Sequence, residues 1–463
     1  MAFVDVVIMA AGKGTRMKSS MPKVLHRLGG KALLQHVIDT ASQVHARRVV
    51  VITGHGAEEV EASLSVHDKV QCVRQMPQLG TGHAMQQAVP VLADDGITLV
   101  LSGDVPLIQA DTLNALLALC DGQHLALLTL QTPKPTGYGR LVRNPQGQVL
   151  AIVEEKDATP EQREIQEIYS GIMAVPTRLL RAWLARLDNH NAQKEYYLTD
   201  VVKFAVADAC PVQAHCITYA WQVEGVNNPV QLAELECAYQ HHQALRFMEQ
   251  GVRLRDPARF DLRGQLECAQ DVEIDVNCIF EGQVRLGEGV KIGANCVIAN
   301  CSIEAGAVIH PFTHIDGEQL GVTVGEGARV GPFARLRPGA DLGADVHIGN
   351  FVEVKNSTLA KGAKANHLAY LGDATVGERV NYGAGSITAN YDGVNKHRTV
   401  IEADVHVGSN SVLVAPVTLG AGGTIGGGST ITKDTPAGAL TVARAKQTSV
   451  ANWQRPEKIP KKT

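Results

Sequence analysis

From Leu262 to Ile431 one spacing dominates the chain: a large apolar residue at every sixth position. Ile274, Phe280, Leu286, Ile292 and Ile298 keep it. So do Val324, Val330, Leu336, Leu342, Ile348 and Val354, and again Ile401, Val407, Leu413, Leu419, Ile425 and Ile431. A step of six matches neither the helical period of about 3.6 nor the strand period of about 2. It is the period of a parallel β-helix, in which each flat face of a triangular coil takes one hexad. The positions two residues earlier carry small or β-branched side chains: Val272, Cys278, Val284, Val290, Cys296, Val322, Ala328, Ala334, Ala340, Val346 and Val352. Residues two apart share a face of a strand, so these also point inward, next to the corner. Gly often follows the large residue, where the chain must turn. A Gly-rich β-sandwich would not hold this register through three separate runs.

The repeat fixes the architecture of nearly half the chain and nominates acyl transfer, the commonest activity of enzymes built this way. The full 463 residues, 45% of them hydrophobic, suffice for at least two domains. A formal net charge of −4 excludes a global basic excess, so nucleic acid is not expected as a partner. The nine Cys form no CxxC pair and no metal-ligand spacing. Cys278, Cys296 and Cys301 fall on inward positions of the coil, which predicts packing thiols, reduced in a cytoplasmic protein. The chain opens on a strand-like run, Val4 to Met9, with no signal segment, and contains no apolar run of membrane-spanning length.

Residues 1–228 read as a different domain. Strand-like runs at Val4–Met9, Arg48–Ile52, Val70–Val73, Thr98–Leu101 and Leu125–Leu130 alternate with helical stretches at Lys31–Val44, Glu58–Leu64, Gly82–Leu92 and Thr112–Leu119. That alternation predicts an open, mostly parallel α/β sheet of Rossmann-like type, with ligands beyond the carboxyl ends of its strands. Residues 229–250 read as a linker helix, started by Pro229 and ended by Gly251, and 251–463 as the coil domain. The basic tail beyond Trp453, with Arg455, Lys458, Lys461 and Lys462, reads as frayed or as cover for a neighbouring subunit.

The first strand runs into Ala10-Ala11-Gly12-Lys13-Gly14-Thr15-Arg16-Met17, with Pro22-Lys23-Val24-Leu25 close behind. The GK[ST] ending of a P-loop is missing, and so is the third Gly of a dinucleotide fingerprint. Gly12 and Gly14 still let the backbone approach phosphates, and Lys13, Arg16 and Lys23 bring three cations to a short span. A nucleoside triphosphate needs that charge on its leaving pyrophosphate; a solvated basic turn would carry it without a ligand. Asp104, alone after an apolar strand, suits Mg²⁺, and Asn227 could add a second oxygen, though a lone Asp on a loop also serves as a turn or cap residue.

These segments resemble the sugar-nucleotide pyrophosphorylases. The likeness extends to Gln75, Leu79-Gly80-Thr81-Gly82-His83-Ala84, Ser102-Gly103-Asp104-Val105-Pro106, Pro135-Thr136-Gly137-Tyr138-Gly139-Arg140, Val153-Glu154, Glu195-Tyr196-Tyr197-Leu198-Thr199-Asp200 and Glu224-Gly225-Val226-Asn227-Asn228. With the hexads added, the whole chain resembles the bacterial bifunctional enzymes that join an N-acetylglucosamine-1-phosphate uridyltransferase to a glucosamine-1-phosphate N-acetyltransferase. The resemblance implies a left-handed coil, a homotrimer with active sites between subunits, Mg²⁺ on Asp104 and Asn227, and UTP, acetyl-CoA and glucosamine-1-phosphate as substrates. It implies nucleotide contacts from Ala10, Ala11, Gly12, Lys13, Lys23, Gln75, Gly80, Thr81, Ser102 and Gly103. It implies sugar contacts from Gly139, Glu154, Tyr197 and Thr199, with Lys23 and Arg16 assisting the chemistry. One position departs: Tyr169-Ser170-Gly171 stands where the family usually has Asn-Thr-Gly, so a Tyr phenol replaces the Asn that touches the sugar nucleotide.

In the coil, Arg337 and Lys355 suit a phosphate, and His367 suits a base for an attacking amine, although a β-solenoid His is often structural. The register breaks twice, between Ile315 and Val324 and, at the segment ANYDGVNKHR, between Thr388 and Ile401. Insertions of this kind leave a solenoid as loops, often on its binding face. The resemblance assigns His367 as catalytic base, Tyr370 and Asn381 to the amino sugar, and Ala384, Asn390, Tyr391, Ser409, Gly427 and Arg444 to acetyl-CoA. Gly427 stands where Ala is frequent. Two other readings stay open at this stage. One is a pyrophosphorylase whose coil is structural or regulatory; the other is a non-enzymatic scaffold of similar layout. Neither needs both His367 with its insertion and the Lys13, Arg16, Lys23 and Asp104 constellation.

Overall fold

The β-branched runs of the first half form the strands of one sheet because Val6, Val7 and Ile8, like Val50 to Ile52, are buried with no exposed face, as in a parallel sheet covered on both sides. The computed structural model describes residues 3–65 and 69–458. It divides into two compact units, Met1–His242 and Gln243–Thr463.

In the first unit the strands are β1 (Phe3–Ala10), β2 (Arg48–Thr53), β3 (Val70–Arg74), β4 (Gly96–Ser102), β5 (Leu125–Gln131), β6 (Gly139–Arg143), β7 (Val149–Val153), β8 (Glu167–Pro176) and β9 (Val212–Ile217). Their order is β9-β5-β8-β4-β1-β2-β3, with β6 and β7 as an excursion from β8. The order reverses direction between β1 and β4, which opens a crevice at the carboxyl ends of these two strands. Three features differ from the sequence expectation. The strand β8 is antiparallel to both neighbours in the middle of the sheet. The helix expected from Lys31 begins at Leu33, because Lys31–Ala32 pairs with Arg27–Leu28 around Gly29 (φ 55°) and Gly30 (φ 79°), a turn whose two positive φ angles favour Gly. The helix expected over Gly82–Leu92 ends at Ala88 and tightens into a single 3₁₀ turn holding Pro90, which has no N–H to donate.

A helix runs Pro229–Glu249, and Gly251 follows it at φ 96°. In the second unit every strand pairs in parallel with the coil above or below. One sheet of eleven short strands forms a face, and a second sheet bends at Val297–Ile303 to form the other two. The apolar hexad positions make one continuous core, from Leu262 through Ile431. Register sets the coil length: Arg329 pairs with His347, eighteen residues on, and His347 with Lys364, seventeen on. The two longer steps, Val308 to Arg329 and Asn381 to His406, contain the two sequence breaks. The seventeen-residue coils explain why regular hexads stop after Val354: Leu359 and Val376 each come one residue early and still face inward. Cys278, Cys296 and Cys301 are buried free thiols in this core. Residues 445–450 and 453–458 of the tail carry no regular structure, and Lys461 and Lys462 lie outside the described residues.

Candidate functional sites

The crevice between β1 and β4 gathers the cations and the lone carboxylate. Gly14, at φ 60°, approaches Lys23 so closely that a Cβ there would stand 2.7 Å from the lysine Cβ; only Gly allows the loop to fold over this lysine. The Lys23 ammonium bonds to Asp104 Oδ2 and lies 3.3 Å from Asn227 Oδ1. Arg16 donates to the same Asn227 oxygen at 2.9 Å. The Asn227 amide is turned by its own nitrogen, which donates to the Gly225 carbonyl at 3.3 Å. Val226 N donates to the Asp104 carbonyl and Gly103 N to that of Met9, which fixes the loops holding Asp104 and Asn227. Two side-chain oxygens therefore converge on one positive charge. One carboxylate and one amide oxygen beside phosphate-binding cations form a donor set suited to a hard divalent ion that keeps waters and substrate oxygens for its remaining positions. Lys13 and Gly12 stand exposed at the mouth, where a Cβ on Gly12 would meet nothing within 4 Å.

A second group lies along the Thr81–Ala88 helix start. Buried Gln75 donates through Nε2 to the Gly80 carbonyl at 2.9 Å. Gly82 N donates to the Tyr196 carbonyl, and Leu198 N to Thr81 Oγ1 at 3.0 Å. The Glu195–Asp200 segment is thereby tied to the Gly80-Thr81 loop. A third group surrounds Glu154, whose Oε1 accepts from Thr199 at 2.9 Å. Burial pushes the Glu154 carboxyl above its usual range. Glu154, Asp157, Tyr197 and Asp200 line a cavity of about 320 Å³. Tyr197 donates to Asp157 at 3.1 Å, a partner the motif reading did not include. Tyr169 pairs in register with Gly139 and starts the bulge at which β8 slips against β5. Its ring packs in the core, and its hydroxyl is buried with no hydrogen-bond partner among the described residues. Ser102 meets this bulge from the other side: a Cβ on Gly171 would lie 3.4 Å from its Oγ.

In the coil, two corners, the face between them and the face leading to the first carry the assigned residues. On one corner, backbone bonds stack His367 on Gly385, Ala384 on Asn410, and Ser409 on Gly428 in successive rungs. Arg444 donates to the Gly427 carbonyl at 2.5 Å on the same column. His367, Ala384, Ser409, Gly427 and Arg444 thus form one line along the coil axis. His367 Nδ1 lies 2.8 Å from Asn350 Oδ1 on the adjacent coil, a neighbour seventeen residues away that the motif reading missed and register alone reveals. Asn381 follows Lys364 on the face leading to this corner.

The face beyond the corner holds Arg335 and Arg337, then Glu353 and Lys355, then Tyr370 and Gly372 in register. Arg337 donates to Glu353 at 2.7 Å. A Cβ on Gly372 would stand 2.3 Å from the Tyr370 hydroxyl, so the phenol lies flat across that Gly. The long insertion leaves the coil at this far corner, not at the His367 corner. Asn390 and Asn356 each donate to buried Asp373, and Tyr391 donates to the Gly393 carbonyl at 2.6 Å. Asn390 and Tyr391 therefore belong to the insertion's base and turn, while Ala384 to Arg444 line the other corner. A separate cavity of about 420 Å³, against the first coils at Arg253, Lys291 and His310, contains none of these residues.

Residues 6–194 match the MobA-like NTP transferase domain, and 321–356 match the bacterial transferase hexapeptide repeat. The chain is 75% identical over 466 residues to the bifunctional protein GlmU of Polaromonas naphthalenivorans, covering 99% of this chain and 98% of that one. It is 73% identical to the protein of that name from Albidiferax ferrireducens, over 98% of this chain and 100% of the other. The Nitrosospira multiformis protein of that name is 54% identical over 100% of this chain and 99% of its own.

Proposed function

The chain belongs to the family of the bifunctional protein GlmU, and on that premise we propose how its two sites share the work. The enzyme makes UDP-N-acetylglucosamine: it acetylates glucosamine-1-phosphate with acetyl-CoA, then transfers UMP from UTP to N-acetylglucosamine-1-phosphate and releases pyrophosphate.

The α/β unit performs the second step at the β1 and β4 crevice. The observation that carries this is the convergence of Lys23, Arg16, Asp104 and Asn227 at the open end of the two strands. A phosphate oxygen of the sugar phosphate attacks the α-phosphorus of UTP, and the bond to the pyrophosphate oxygen breaks. Lys23 and Arg16 neutralise charge on the departing pyrophosphate. Asp104 and Asn227 would hold Mg²⁺, which supplies further charge neutralisation at the phosphates when bound. Gln75, Gly80 and Thr81 border the uridine side; Gly139, Glu154, Tyr169, Tyr197 and Thr199 border the sugar side.

The coil performs the first step along the His367 corner. An amide oxygen only accepts, so Asn350 fixes the proton on Nδ1 of His367 and leaves Nε2 as the base. The sugar amine attacks the thioester carbonyl while Nε2 takes its proton; the new C–N bond forms, the C–S bond breaks, and the departing CoA thiolate takes that proton from the imidazolium and leaves as the thiol. Arg337 and Lys355 receive the sugar phosphate, with Tyr370 between them and the base and Asn381 on the adjoining face. The Ala384, Ser409, Gly427 and Arg444 column, with Asn390 and Tyr391 of the insertion, takes acetyl-CoA.

A homotrimer fits the surface beside this corner. Phe312, Phe333 and Phe351 stack at 5.0 and 5.3 Å along the same column and are about half exposed. Leu368, the residue after the base, continues the ladder at 62% exposure. An exposed apolar ladder of this kind favours burial against further copies of the chain. All nine Cys are free, and no described helix is long and apolar enough to cross a membrane; both fit a cytoplasmic enzyme. Assaying purified protein for acetyl-CoA consumption with glucosamine-1-phosphate, and separately for pyrophosphate release from UTP, tests the reading. Absence of either half-reaction in the wild type would overturn it.

A further inference from the structure

His83, in the first turn of the Thr81–Ala88 helix, stands between two side-chain amides. Its Nδ1 lies 3.2 Å from Gln75 Nε2, and its Nε2 lies 3.2 Å from the Nε2 of Gln87, one helical turn on. Gln75 follows β3, and its backbone N donates at 2.8 Å to the carbonyl of Thr53, the last residue of β2. It therefore sits at the carboxyl edge of the sheet, and it is only 3% exposed. The His83 ring faces that of Tyr196 with 6.3 Å between centroids, and Tyr196 N donates to the Leu79 carbonyl at 2.8 Å. The imidazole is thus held beside the loop that carries Gly80.

A neutral imidazole has one donor and one acceptor, so it cannot accept from both amides. The Gln75 amide has no choice of end. Its nitrogen donates to the Gly80 carbonyl at 2.9 Å, and a turned amide would set oxygen against that oxygen. The second N–H of Gln75 goes to Nδ1 of His83, which is then the acceptor and leaves the ring proton on Nε2. Gln87 is the amide free to turn. Besides the ring, its nitrogen meets only the His83 carbonyl among the described residues, at 3.3 Å, and turning gives its oxygen to the Nε2 proton. Both N–H groups of Gln75 are therefore engaged inside the protein. Its Oε1 meets no donor among the described residues and is not sealed from solvent, so it stands at the sheet edge as a bare acceptor.

We propose that His83 is a specificity-determining positioning residue of the uridyltransferase, acting by holding the Gln75 amide in this one orientation. This rests on reading the α/β unit as the UTP site, with the base on the Gln75 side. A bare oxygen acceptor suits the N3–H of uracil. Cytosine carries a lone pair at N3, which would face the Gln75 oxygen. To seat cytosine the amide must turn, and its oxygen then meets two acceptors, the Gly80 carbonyl and Nδ1 of His83. Rejection of this kind is stronger than the absence of a contact, because a buried polar group is left facing its like. His83 touches no substrate in this scheme and works only through Gln75. The Gly80 carbonyl is the first lock on the amide and belongs to the backbone; His83 is the second.

The test measures kcat/KM for UTP and for CTP, with N-acetylglucosamine-1-phosphate as acceptor, in the full chain of wild type, His83→Ala and His83→Gln. In His83→Ala one of the two locks is gone, and the ratio of UTP to CTP falls about tenfold, the worth of one neutral hydrogen bond. His83→Gln offers Gln75 an amide oxygen in place of Nδ1 and recovers most of the ratio. The KM for N-acetylglucosamine-1-phosphate and the acetylation of glucosamine-1-phosphate stay within about twofold. Where His83→Ala turns over too slowly to assay, the ratio of UDP to CDP dissociation constants from calorimetry reads the same selectivity. An unchanged ratio in His83→Ala, with UTP and CTP lowered together, would make His83 structural and overturn the proposal. A His83→Gln enzyme as unselective as His83→Ala would also overturn it, as would a wild type that does not distinguish the two triphosphates. A wild type that releases pyrophosphate from neither fails the reading of the α/β unit itself, and the proposal with it.

Discussion

The Nδ1 atom of His367 lies 2.8 Å from the side-chain oxygen of Asn350, although seventeen residues separate them. The coil places each residue beside its counterpart one turn earlier, so the tautomer of the proposed base is set by a neighbour that no local motif contains. His367→Ala lowers acetylation by at least about a hundredfold, the usual worth of a positioned base, and leaves pyrophosphate release intact. Asn350→Ala, which frees the imidazole to take either tautomer, lowers acetylation kcat by about tenfold. Steady-state assay of both half-reactions on both variants checks this. An Asn350→Ala enzyme with unchanged acetylation would remove the tautomer argument.

Gly372 is required by a side chain, not by its own backbone. A methyl group at 372 would sit 2.3 Å from the Tyr370 hydroxyl, closer than any real contact, and the phenol would have to swing off the face. Gly372→Ala therefore raises the acceptor KM by about tenfold, an effect of the size of one lost hydrogen bond to substrate. Gly372→Ala combined with Tyr370→Phe is no worse than Gly372→Ala alone. Additive losses in this pair would show that Gly372 acts elsewhere.

The coil was legible because its physics is one-dimensional: a period of six names inward residues without knowledge of what lies opposite, and positions from Ile274 to Ile431 are buried as their spacing requires. Legibility failed where coils shorten to seventeen residues, since a one-residue slip at Leu359 destroys the period but leaves the core continuous. In the α/β unit the buried parallel strands announced themselves by continuous apolar runs. The strand β8 did not, because Tyr169-Ser170-Gly171 interrupts it with a bulge, and its antiparallel pairing depends on partners far along the chain. Asp104 and Lys23 were visible as types suited to phosphate and metal; that they bond to one another follows only from the crevice.

Asp104 accepts from Lys23, and with Asn227 it offers the paired oxygens of the crevice. Asp104→Asn keeps the size and removes the charge. Pyrophosphate release falls by about a hundredfold or more, in line with loss of a charged group acting at the phosphates, and its dependence on added Mg²⁺ weakens. Acetylation of glucosamine-1-phosphate continues unchanged in the same preparation. Loss of both activities would point to misfolding or to a shared site.

Tyr169 carries a hydroxyl with neither solvent nor a partner among the described residues, at 7% exposure of the residue. Such an orphan costs about 1–3 kcal/mol in a folded protein. Tyr169→Phe removes it at nearly constant volume, so the ligand-free α/β unit melts a few degrees higher. If the hydroxyl serves the sugar, the same variant raises the KM for N-acetylglucosamine-1-phosphate while that for UTP stays constant. Scanning calorimetry and uridyltransferase kinetics read the two effects separately. A lower melting temperature with unchanged KM would make the hydroxyl structural.

Glu154 ties the sugar side to pH. Burial raises its carboxyl above the usual value of 4.5; Asp157, Asp200 and Glu195 add to the shift, and the bond from Thr199 opposes it. A carboxyl whose pKa is higher in the folded than in the unfolded chain binds its proton more tightly when folded. It supports folding below the unfolded value and loses that contribution as pH rises through the folded one. At neutral pH the ionised Glu154 is therefore a net burden on the fold. Glu154→Gln raises the melting temperature at pH 7, and the gain shrinks toward pH 4. Catalysis moves the other way. The carboxylate accepts hydrogen bonds that a neutral acid accepts poorly, so kcat/KM for the sugar phosphate falls on the acid side at a pH above that of an ordinary Glu. That acid limb disappears in Glu154→Gln, at a lower plateau. A wild-type profile with its limb unchanged in Glu154→Gln would place the titrating group elsewhere.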